Sequence, residues 1–565
     1  MKRISLALAL STMLILVGCG REDDQPSIDV PSVDDDVRSG LFERIDADSI
    51  YLMANLEPMP ENLNELLWAS LEPMSESNDD IYGEFMDGID HPLAQALARE
   101  FMAIDSREAF EARGLHGNGL WAFHSLSLYP VVHWQLIDID AFAGMLDRIA
   151  VESDMDLPWR GVGDEEILWI DLGAFGLAMH HDDEFLTAAI VPDDMSLLRR
   201  IAGLDRPAHS YSTSQLRDFN RERDYTGQGS GFFDFALLID RLLDEDDELV
   251  AAGRQAAGLP DLADSPACSA ELRALATVFP RISSGTTHLS SNEIAASMII
   301  ETERSLGDKL ARVADSPVRL DGDQGALFSA GVAFNLVAAR DLAREIVGGW
   351  VDNPPQCELF STIRDNAADW QLGVNRPIPP MVTNLQGMRL TLDGVEAGGM
   401  TGISDATGTL AVFMRNPQMM IGMAQMFSPD LAALDLRPGG DPQPLPAGLI
   451  PNMPEAAGWI AMGKNSIGLA LGEDQKDGLR AALEPGSAGS AILHYGMDFT
   501  AYAEMLKAMM ARTRSQFEDL GGELDMPEGN EKIIATMGEI YDYSEFSIHL
   551  KPHGIEINSL MRLHN

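Results

Sequence analysis

Leu168-Trp169-Ile170-Asp171-Leu172-Gly173, followed by Gly176-Leu177-Ala178-Met179, is the stretch that decides the fold. Apolar residues on both sides of a short turn containing glycine predict two neighbouring antiparallel strands. A related stretch occurs much later, as Gly458-Trp459-Ile460-Ala461-Met462-Gly463 followed by Gly468-Leu469-Ala470-Leu471. The recurrence indicates that the chain uses one strand–turn–strand unit twice.

The segments after each stretch also follow a common order. An acidic turn leads to a helix whose apolar positions are Leu197, Leu198 and Ile201 in the first copy and Leu479, Ala482 and Leu483 in the second. Next comes a strand before a helix, at residues 229–235 and 489–495, and then a closing hairpin, at 285–301 and 544–562. This order predicts an α+β fold of two tandem similar modules, each an antiparallel sheet with helices packed on one face.

The domain boundaries follow from composition. Residues 1–18 are expected to be a signal peptide, and residues 19–40, acidic and poor in large apolar side chains, a flexible tether. The first module is expected at 41–315 and the second at 316–565, because Asp, Ser, Pro and Gly cluster between residues 315 and 323.

Local patterns predict several elements of the first module. The alternation of apolar residues predicts two strands, at residues 122–129 and 131–137, with Pro130 at the turn between them. Residues 140–151 read as a helix with one apolar face, formed by Phe142, Met145, Leu146 and Ile149. In the second module, Lys551-Pro552-His553-Gly554 predicts a hairpin turn with glycine at a positive φ.

Composition excludes some function classes. Hydrophobic residues make up 45% of the 565 residues, so the chain can form a real core. The chain has 40 basic and 89 acidic residues. Its formal charge of −49 argues against nucleic-acid binding and against docking on anionic lipid. The acidic residues are spread along the chain, which is typical of a solubility device.

The first 20 residues carry the clearest motif. Lys2 and Arg3 precede an apolar run, residues 4–17, that ends in Leu16-Val17-Gly18-Cys19. This pattern resembles the lipobox of bacterial lipoproteins. The resemblance implies cleavage before Cys19, acylation of Cys19 with chains such as palmitate, and a stable membrane anchor. Gly20, in place of an aspartate, implies the cell outer membrane, with the body facing the periplasm or the cell surface.

The body carries a second resemblance. Ile45-Asp46-Ala47-Asp48-Ser49-Ile50-Tyr51 precedes a predicted strand, and Pro379-Pro380 begins a segment that runs to Gly387. These features resemble duplicated α+β lipoproteins of Gram-negative envelopes. Such proteins have no assigned activity, so the resemblance assigns no functional residue.

Cys268 and Cys357 are the two cysteines besides Cys19. In an exported protein this number favours one disulfide, and two buried free thiols are the alternative.

No motif of a known active site is present. Gly227-Gln228-Gly229-Ser230-Gly231 only approximates a nucleophile elbow and is better explained as a turn before a strand. His180-His181-Asp182-Asp183-Glu184 is the densest group of potential metal ligands, but adjacent residues of an extended segment point to opposite faces. We interpret it as a solvated turn between a strand and a helix. The sequence therefore predicts no catalytic residue, no metal and no cofactor.

The 29 methionines offer one candidate binding surface. Met419, Met423 and Met426 follow helical spacing, and flexible methionines often line adaptable apolar grooves. Ordinary core packing is the alternative.

Together these features predict a non-enzymatic lipoprotein anchored in the outer membrane, with a binding or scaffolding role. A hydrophobic ligand and an envelope protein are its candidate partners, besides the membrane itself. The rival prediction is an exported hydrolase whose site residues meet only in three dimensions.

Overall fold

The computed structural model describes residues 31–75, 88–244, 246–257, 265–320, 325–397, 403–446, 457–486, 489–519 and 538–564. The chain divides into two compact units between Ile300 and Glu301. Both units combine helices with antiparallel strands, which confirms the α+β class. The division precedes the helix Arg304–Val313, whose residues the sequence analysis had placed in the first module.

The first unit contains ten helices and ten strands within its described ranges. The helices are α1 Asp35–Phe42, α2 Glu61–Ser75, α3 Pro92–Met102, α4 Arg107–Glu111, α5 Ile139–Ser153, α6 Met195–Ile201, α7 Thr213–Arg223, α8 Phe235–Leu242, α9 Glu248–Ala257 and α10 Pro266–Val278. The strands are β1 Tyr51–Ala54, β2 Trp121–Leu126, β3 Tyr129–Gln135, β4 Trp159–Val162, β5 Glu165–Asp171, β6 Gly176–His181, β7 Phe185–Val191, β8 Ser230–Asp234, β9 Arg281–Leu289 and β10 Glu293–Glu301. They form one antiparallel sheet in the order β4-β5-β6-β7-β3-β2-β1-β8-β9-β10.

The second unit has a similar inventory. Its helices are α11 Arg304–Val313, α12 Leu336–Asp352, α13 Ser361–Asn375, α14 Pro380–Asn384, α15 Pro417–Phe427, α16 Pro429–Ala432, α17 Lys476–Ala482 and α18 Phe499–Asp519, with a 3₁₀ turn at Glu358–Phe360. Its strands are β11 Phe328–Ala333, β12 Leu385–Ala397, β13 Ile403–Met414, β14 Gln443–Pro444, β15 Gly458–Met462, β16 Ser466–Leu471, β17 Ala491–Asp498, β18 Tyr541–Lys551 and β19 Gly554–Leu563. The antiparallel order is β14-β15-β16-β13-β12-β11-β17-β18-β19.

The two sheets share one strand order. When β11, β12 and β13 are aligned with β1, β2 and β3, each strand from β14 to β19 aligns with one strand of the first sheet. Among the described strands of the first sheet, β4 alone has no counterpart. In this correspondence β15 matches β6. The predicted match of residues 458–463 with residues 168–173 is therefore displaced by one strand, because residues 168–171 belong to β5.

Helix α5 shows how the sequence specifies one element. The Asp138 side chain caps the helix by accepting a hydrogen bond from the backbone N–H of Ala141, and Asp154 ends the helix in the left-handed conformation. Its buried residues are the four predicted ones, Phe142, Met145, Leu146 and Ile149.

Helices cover both faces of the sheet in the first unit, not one face as predicted. Helices α3 and α5 pack on one face, over side chains such as Ile170 and Met179. Helix α6 packs on the opposite face, over Ile167 and Ala178 of the same two strands. Because successive residues of a strand point to opposite sides, the two cores lie on opposite sides of the sheet.

Two local expectations were wrong. Residues 35–40, expected to belong to the tether, form most of α1, because Asp34 caps this helix and Leu41 and Phe42 anchor its end in the core. Pro130 lies inside β3 opposite Ser125, and the turn is made by Ser127 and Leu128, with Ser127 at a φ of 54°. The Lys551–Gly554 turn is confirmed, with Gly554 at a φ of 151°.

Candidate functional site

One face of the second sheet carries an aliphatic row that crosses seven strands. In the sheet order β16-β13-β12-β11-β17-β18-β19, the register places one apolar side chain of each strand side by side. These side chains are Ile467, Val412, Met388, Val332, Leu493, Ile548 and Ile557. None of the seven is fully buried, and Met388 is 43% exposed. Neighbouring strands lie about 4.8 Å apart, so the row is about 29 Å long.

A second row runs beside the first on the same face. It contains Leu469, Leu410, Leu390, Ala330, Tyr495, Phe546 and Ser559, of which Leu390 is 37% exposed. Helix α18 contacts β12, β17 and β18. We call the two rows together the aliphatic face. Seven strands thus present a mostly aliphatic surface that the described chain leaves partly open.

The opposite face of the same sheet is buried although it carries polar and small residues. Ser329, Thr391 and His494 alternate along their strands with members of the aliphatic face, and all three are buried. The same face also carries Ala411 and Phe413, which pack in a core with Leu479 of α17, so these polar residues lie beside an apolar core.

A serine, a histidine and a carboxylate meet on this buried face. The Oγ of Ser329 lies 3.3 Å from Nε2 of His494, and Nδ1 of His494 lies 3.6 Å from Oε1 of Glu545. The arrangement resembles a hydrolytic triad. However, β11 is paired along both edges, with β12 and β17, so the ladders occupy the backbone N–H groups that would have to stabilise an oxyanion. We interpret the trio as a buried polar network.

The three methionines predicted to bind a ligand lie on α15, which follows β13 of the aliphatic face. Met419 and Met423 are half-buried, and Met426 is 79% exposed. Their positions on one helix agree with the predicted spacing.

The remaining predicted site residues are the cysteines. Cys268, on α10, and Cys357, just before the 3₁₀ turn, form a disulfide bond and are buried. Cys19 and the rest of residues 1–30 lie outside the described residues. Among the helices that the structure describes, none has the length and apolar character needed to cross a bilayer.

The His180–Glu184 cluster joins two strands, β6 and β7, and not a strand to a helix as predicted. The Asp182 carboxylate accepts hydrogen bonds from the backbone N–H groups of Glu184 and Phe185, at 3.0 and 2.9 Å, and pairs with Arg44. The cluster therefore builds a turn. In the part of the chain with described side chains, no three His, Cys, Asp or Glu residues are placed to hold a metal ion.

The first unit contains a polar cleft of about 400 Å³ that the sequence did not reveal. His116, Glu61, Arg107 and Asn118 line it, together with residues 31–34. Burial holds the pKa of His116 below its ordinary value, and the hydrogen bond from Arg107 lowers the pKa of the Glu61 carboxyl. Nδ1 of His116 accepts a hydrogen bond of 3.1 Å from the backbone N–H of Asn118, so neutral His116 carries its proton on Nε2.

The first sheet has an aromatic counterpart to the aliphatic face. Tyr51 stacks on Phe123 and Phe233, with ring centroids 5.1 and 6.0 Å apart, and Trp121 stacks on Trp134 at 6.4 Å. Burial raises the pKa of Tyr51. The matching strands of the two units therefore carry different apolar chemistry.

Sequence reasoning missed the aliphatic face because the strands that build it are far apart in the chain. The signal that was available is the alternation in β12, where Met388, Leu390 and Leu392 alternate with Gly387, Arg389 and Thr391. That pattern identifies two faces but does not say which one is covered.

No model of a known protein family, no curated protein and no solved structure matches this chain.

Proposed function

We propose that this protein is a non-enzymatic lipoprotein of the outer membrane that binds a hydrophobic ligand on the aliphatic face of its second unit. The observation that carries the proposal is the row of seven apolar side chains, none of them fully buried. Covering apolar surface is favourable by about 25 cal/mol per Å², and apolar patches left open on soluble proteins commonly mark binding sites.

The chemistry of the face favours a flexible aliphatic ligand. Its central members, Met388, Val332 and Leu493, are aliphatic, and Met419 and Met423 lie on the helix that follows β13. Methionine adapts its shape to a ligand of variable conformation. A length of about 29 Å across seven strands also suits a long acyl chain better than a compact ring system.

The membrane anchor remains the part of the proposal that rests on sequence. The lipobox at residues 16–19 supports acylation of Cys19, and the Cys268–Cys357 disulfide is what an oxidising compartment outside the cytoplasm permits. The shared strand order of the two sheets supports an internal duplication, after which the apolar faces acquired different side chains.

Native mass spectrometry of the full chain, purified from envelopes with and without organic extraction, tests both parts. The expected result is an acylated N-terminal Cys19 and a bound apolar molecule that extraction removes. A Cys19→Ser variant should be released from the membrane and still bind the ligand. An unmodified Cys19 would contradict the anchor, and ligand-free protein from native envelopes would contradict the binding role.

A pair of double variants locates the site. Met388→Glu with Leu390→Glu places two charges on the aliphatic face and should reduce binding of a fluorescent fatty acid at least tenfold. Met195→Glu with Leu275→Glu is the matched control, because both residues are 46% exposed and lie in the first unit. Equal binding by the two double variants would place the ligand elsewhere.

The polar cleft supports a second candidate, an exported hydrolase. A cleft of about 400 Å³ combines an imidazole, a carboxylate and a guanidinium, the groups that acid–base chemistry uses. Hydrolysis of p-nitrophenyl esters by the full chain, and its loss in a His116→Gln variant, would favour this candidate. Identical low rates for both proteins would remove it.

A further inference from the structure

The second unit contains a cavity of about 320 Å³. It is lined by residues of α11 and of the first three turns of α12, and by Arg415, the residue that follows β13. These lining residues are Lys309, Arg312, Asn335, Val337, Ala338, Asp341, Leu342, Glu345 and Arg415. Three of the nine are cationic, in a chain with fewer than half as many basic as acidic residues.

The ion pairs of the cavity leave two arginines without a carboxylate. Lys309 pairs with Glu345, and Asp341 lies 3.7 Å from Arg344. Arg312 donates to the backbone carbonyl of Asp308 at 3.3 Å. Across the described ranges of the chain, neither Arg312 nor Arg415 forms an ion pair with an acidic side chain. The cavity therefore keeps two guanidinium groups available for an anion.

The chain connects this cavity directly to the aliphatic face. Asn335 comes three residues after Val332, and Arg415 comes three residues after Val412, and both valines belong to the first aliphatic row. At about 3.3 Å per residue of strand, each connection spans about 10 Å. One ligand can therefore reach both the aliphatic row and the two arginines.

We infer that the hydrophobic ligand is a phospholipid whose phosphate is held by Arg312 and Arg415 while its acyl chains cover the aliphatic face. This inference rests on the proposed function and adds the headgroup. The planar guanidinium group matches a phosphate with two parallel hydrogen bonds, which gives such pairs both strength and orientation. The chain's large negative charge opposes docking on an anionic bilayer, so the expected ligand is a single lipid molecule taken out of the bilayer.

The test compares two lipids that share their acyl chains. The full chain is titrated with dioleoylphosphatidic acid and with dioleoylglycerol, both below the concentration at which they aggregate, and binding is measured by native mass spectrometry. The unaltered protein should retain the phosphatidic acid at least tenfold more strongly. Arg312→Gln with Arg415→Gln should abolish that preference and leave dioleoylglycerol binding unchanged. Arg217→Gln, an exposed arginine of the first unit, should keep the preference.

The other outcomes are distinct. Equal binding of the two lipids would overturn the headgroup assignment and leave the proposed function intact, whereas binding of neither would overturn both. Glycerol 3-phosphate binding as strongly as phosphatidic acid would identify a free-phosphate site and overturn the lipid assignment. Binding only to phosphatidic acid vesicles would overturn extraction of single lipids. If the double variant has a lower melting temperature, the single variants Arg312→Gln and Arg415→Gln test the headgroup assignment instead. Each should reduce the preference for phosphatidic acid over dioleoylglycerol at least threefold.

Discussion

His124 and His133 share a hydrogen bond inside the first sheet, with their Nε2 atoms 3.1 Å apart. Nδ1 of His124 donates to the carbonyl of Ser125 at 3.2 Å, so its Nε2 must accept the proton that His133 carries on Nε2. Nδ1 of His133 then accepts from the hydroxyl of Thr187 at 2.9 Å. All three side chains are buried, and when both imidazoles are neutral each of these contacts has one donor and one acceptor.

Acid should therefore destabilise the protein through this pair. Burial lowers the pKa of His124 to about 4 and that of His133 well below its ordinary value of 6.5. The unfolded chain takes up protons from about pH 6.5 downward while the folded chain does not, so stability is lost as the pH falls from about 6.5 to about 4. For His124 alone the loss is about 3 kcal/mol by pH 4.

Urea unfolding at several pH values between 4 and 7 measures this loss. The double variant His124→Gln with His133→Gln should show a weaker pH dependence than the unaltered protein. His553→Gln, at an exposed turn, should keep the full dependence. Parallel curves for all three proteins would contradict the role of the pair.

Replacement of Thr187 by Val should leave Nδ1 of His133 without its donor. A buried acceptor that loses its partner costs about 1 to 3 kcal/mol, and the free energy of unfolding should fall by that amount. Thr277→Val is the control, because the Thr277 hydroxyl binds a carbonyl of its own exposed helix. The two variants are compared by urea unfolding, and equal midpoints would refute the prediction.

Phe142→Ala should be strongly destabilising, since Phe142 is fully buried on α5. Large-to-small changes of this kind cost about 3 to 5 kcal/mol. Val151→Ala on the same helix removes a side chain that is 82% exposed and should cost less than about 0.5 kcal/mol. Thermal unfolding followed by circular dichroism distinguishes the two, and a similar shift in both would mean that α5 does not bury this face.

Gly231→Ala should disrupt the centre of the first sheet. A Cβ atom at Gly231 would lie 1.8 Å from the backbone carbonyl oxygen of Leu52, on the paired strand β1, where only backbone movement can make room. The expected cost is about 3 kcal/mol, at the upper end of overpacking effects. Gly161→Ala, with open space around its Cβ position, should be nearly neutral. Differential scanning calorimetry measures both, and an unchanged melting temperature for the first variant would contradict the close approach of β1 and β8.

Reduction of the Cys268–Cys357 disulfide should lower stability. The bond closes a loop of about 90 residues, for which the chain-entropy model gives about 4.6 kcal/mol. Urea unfolding with and without a reducing agent measures the effect. A Cys268→Ser with Cys357→Ser variant should match the reduced protein and be insensitive to the reductant, and any remaining sensitivity would point to another cause.

Local patterns predicted single elements well. The spacing of Phe142, Met145, Leu146 and Ile149 identified the buried face of α5, because a capped amphipathic helix is specified by its own residues. Pro130 was misplaced, because a serine at positive φ could make the turn without it. The triad-like contact of Ser329 with His494 joins residues 165 positions apart and depends on the order of strands, which no local pattern encodes.

The shortest of the described strands affects how this protein behaves at high concentration. Strand β14 has two residues, one of them Pro444, and pairs only with β15 among the described strands. Proline has no N–H to offer to a further strand, and so short an end presents almost no template for one. This margin of the second sheet therefore resists the edge-to-edge growth that drives aggregation, which matters for a protein that also displays an open apolar surface.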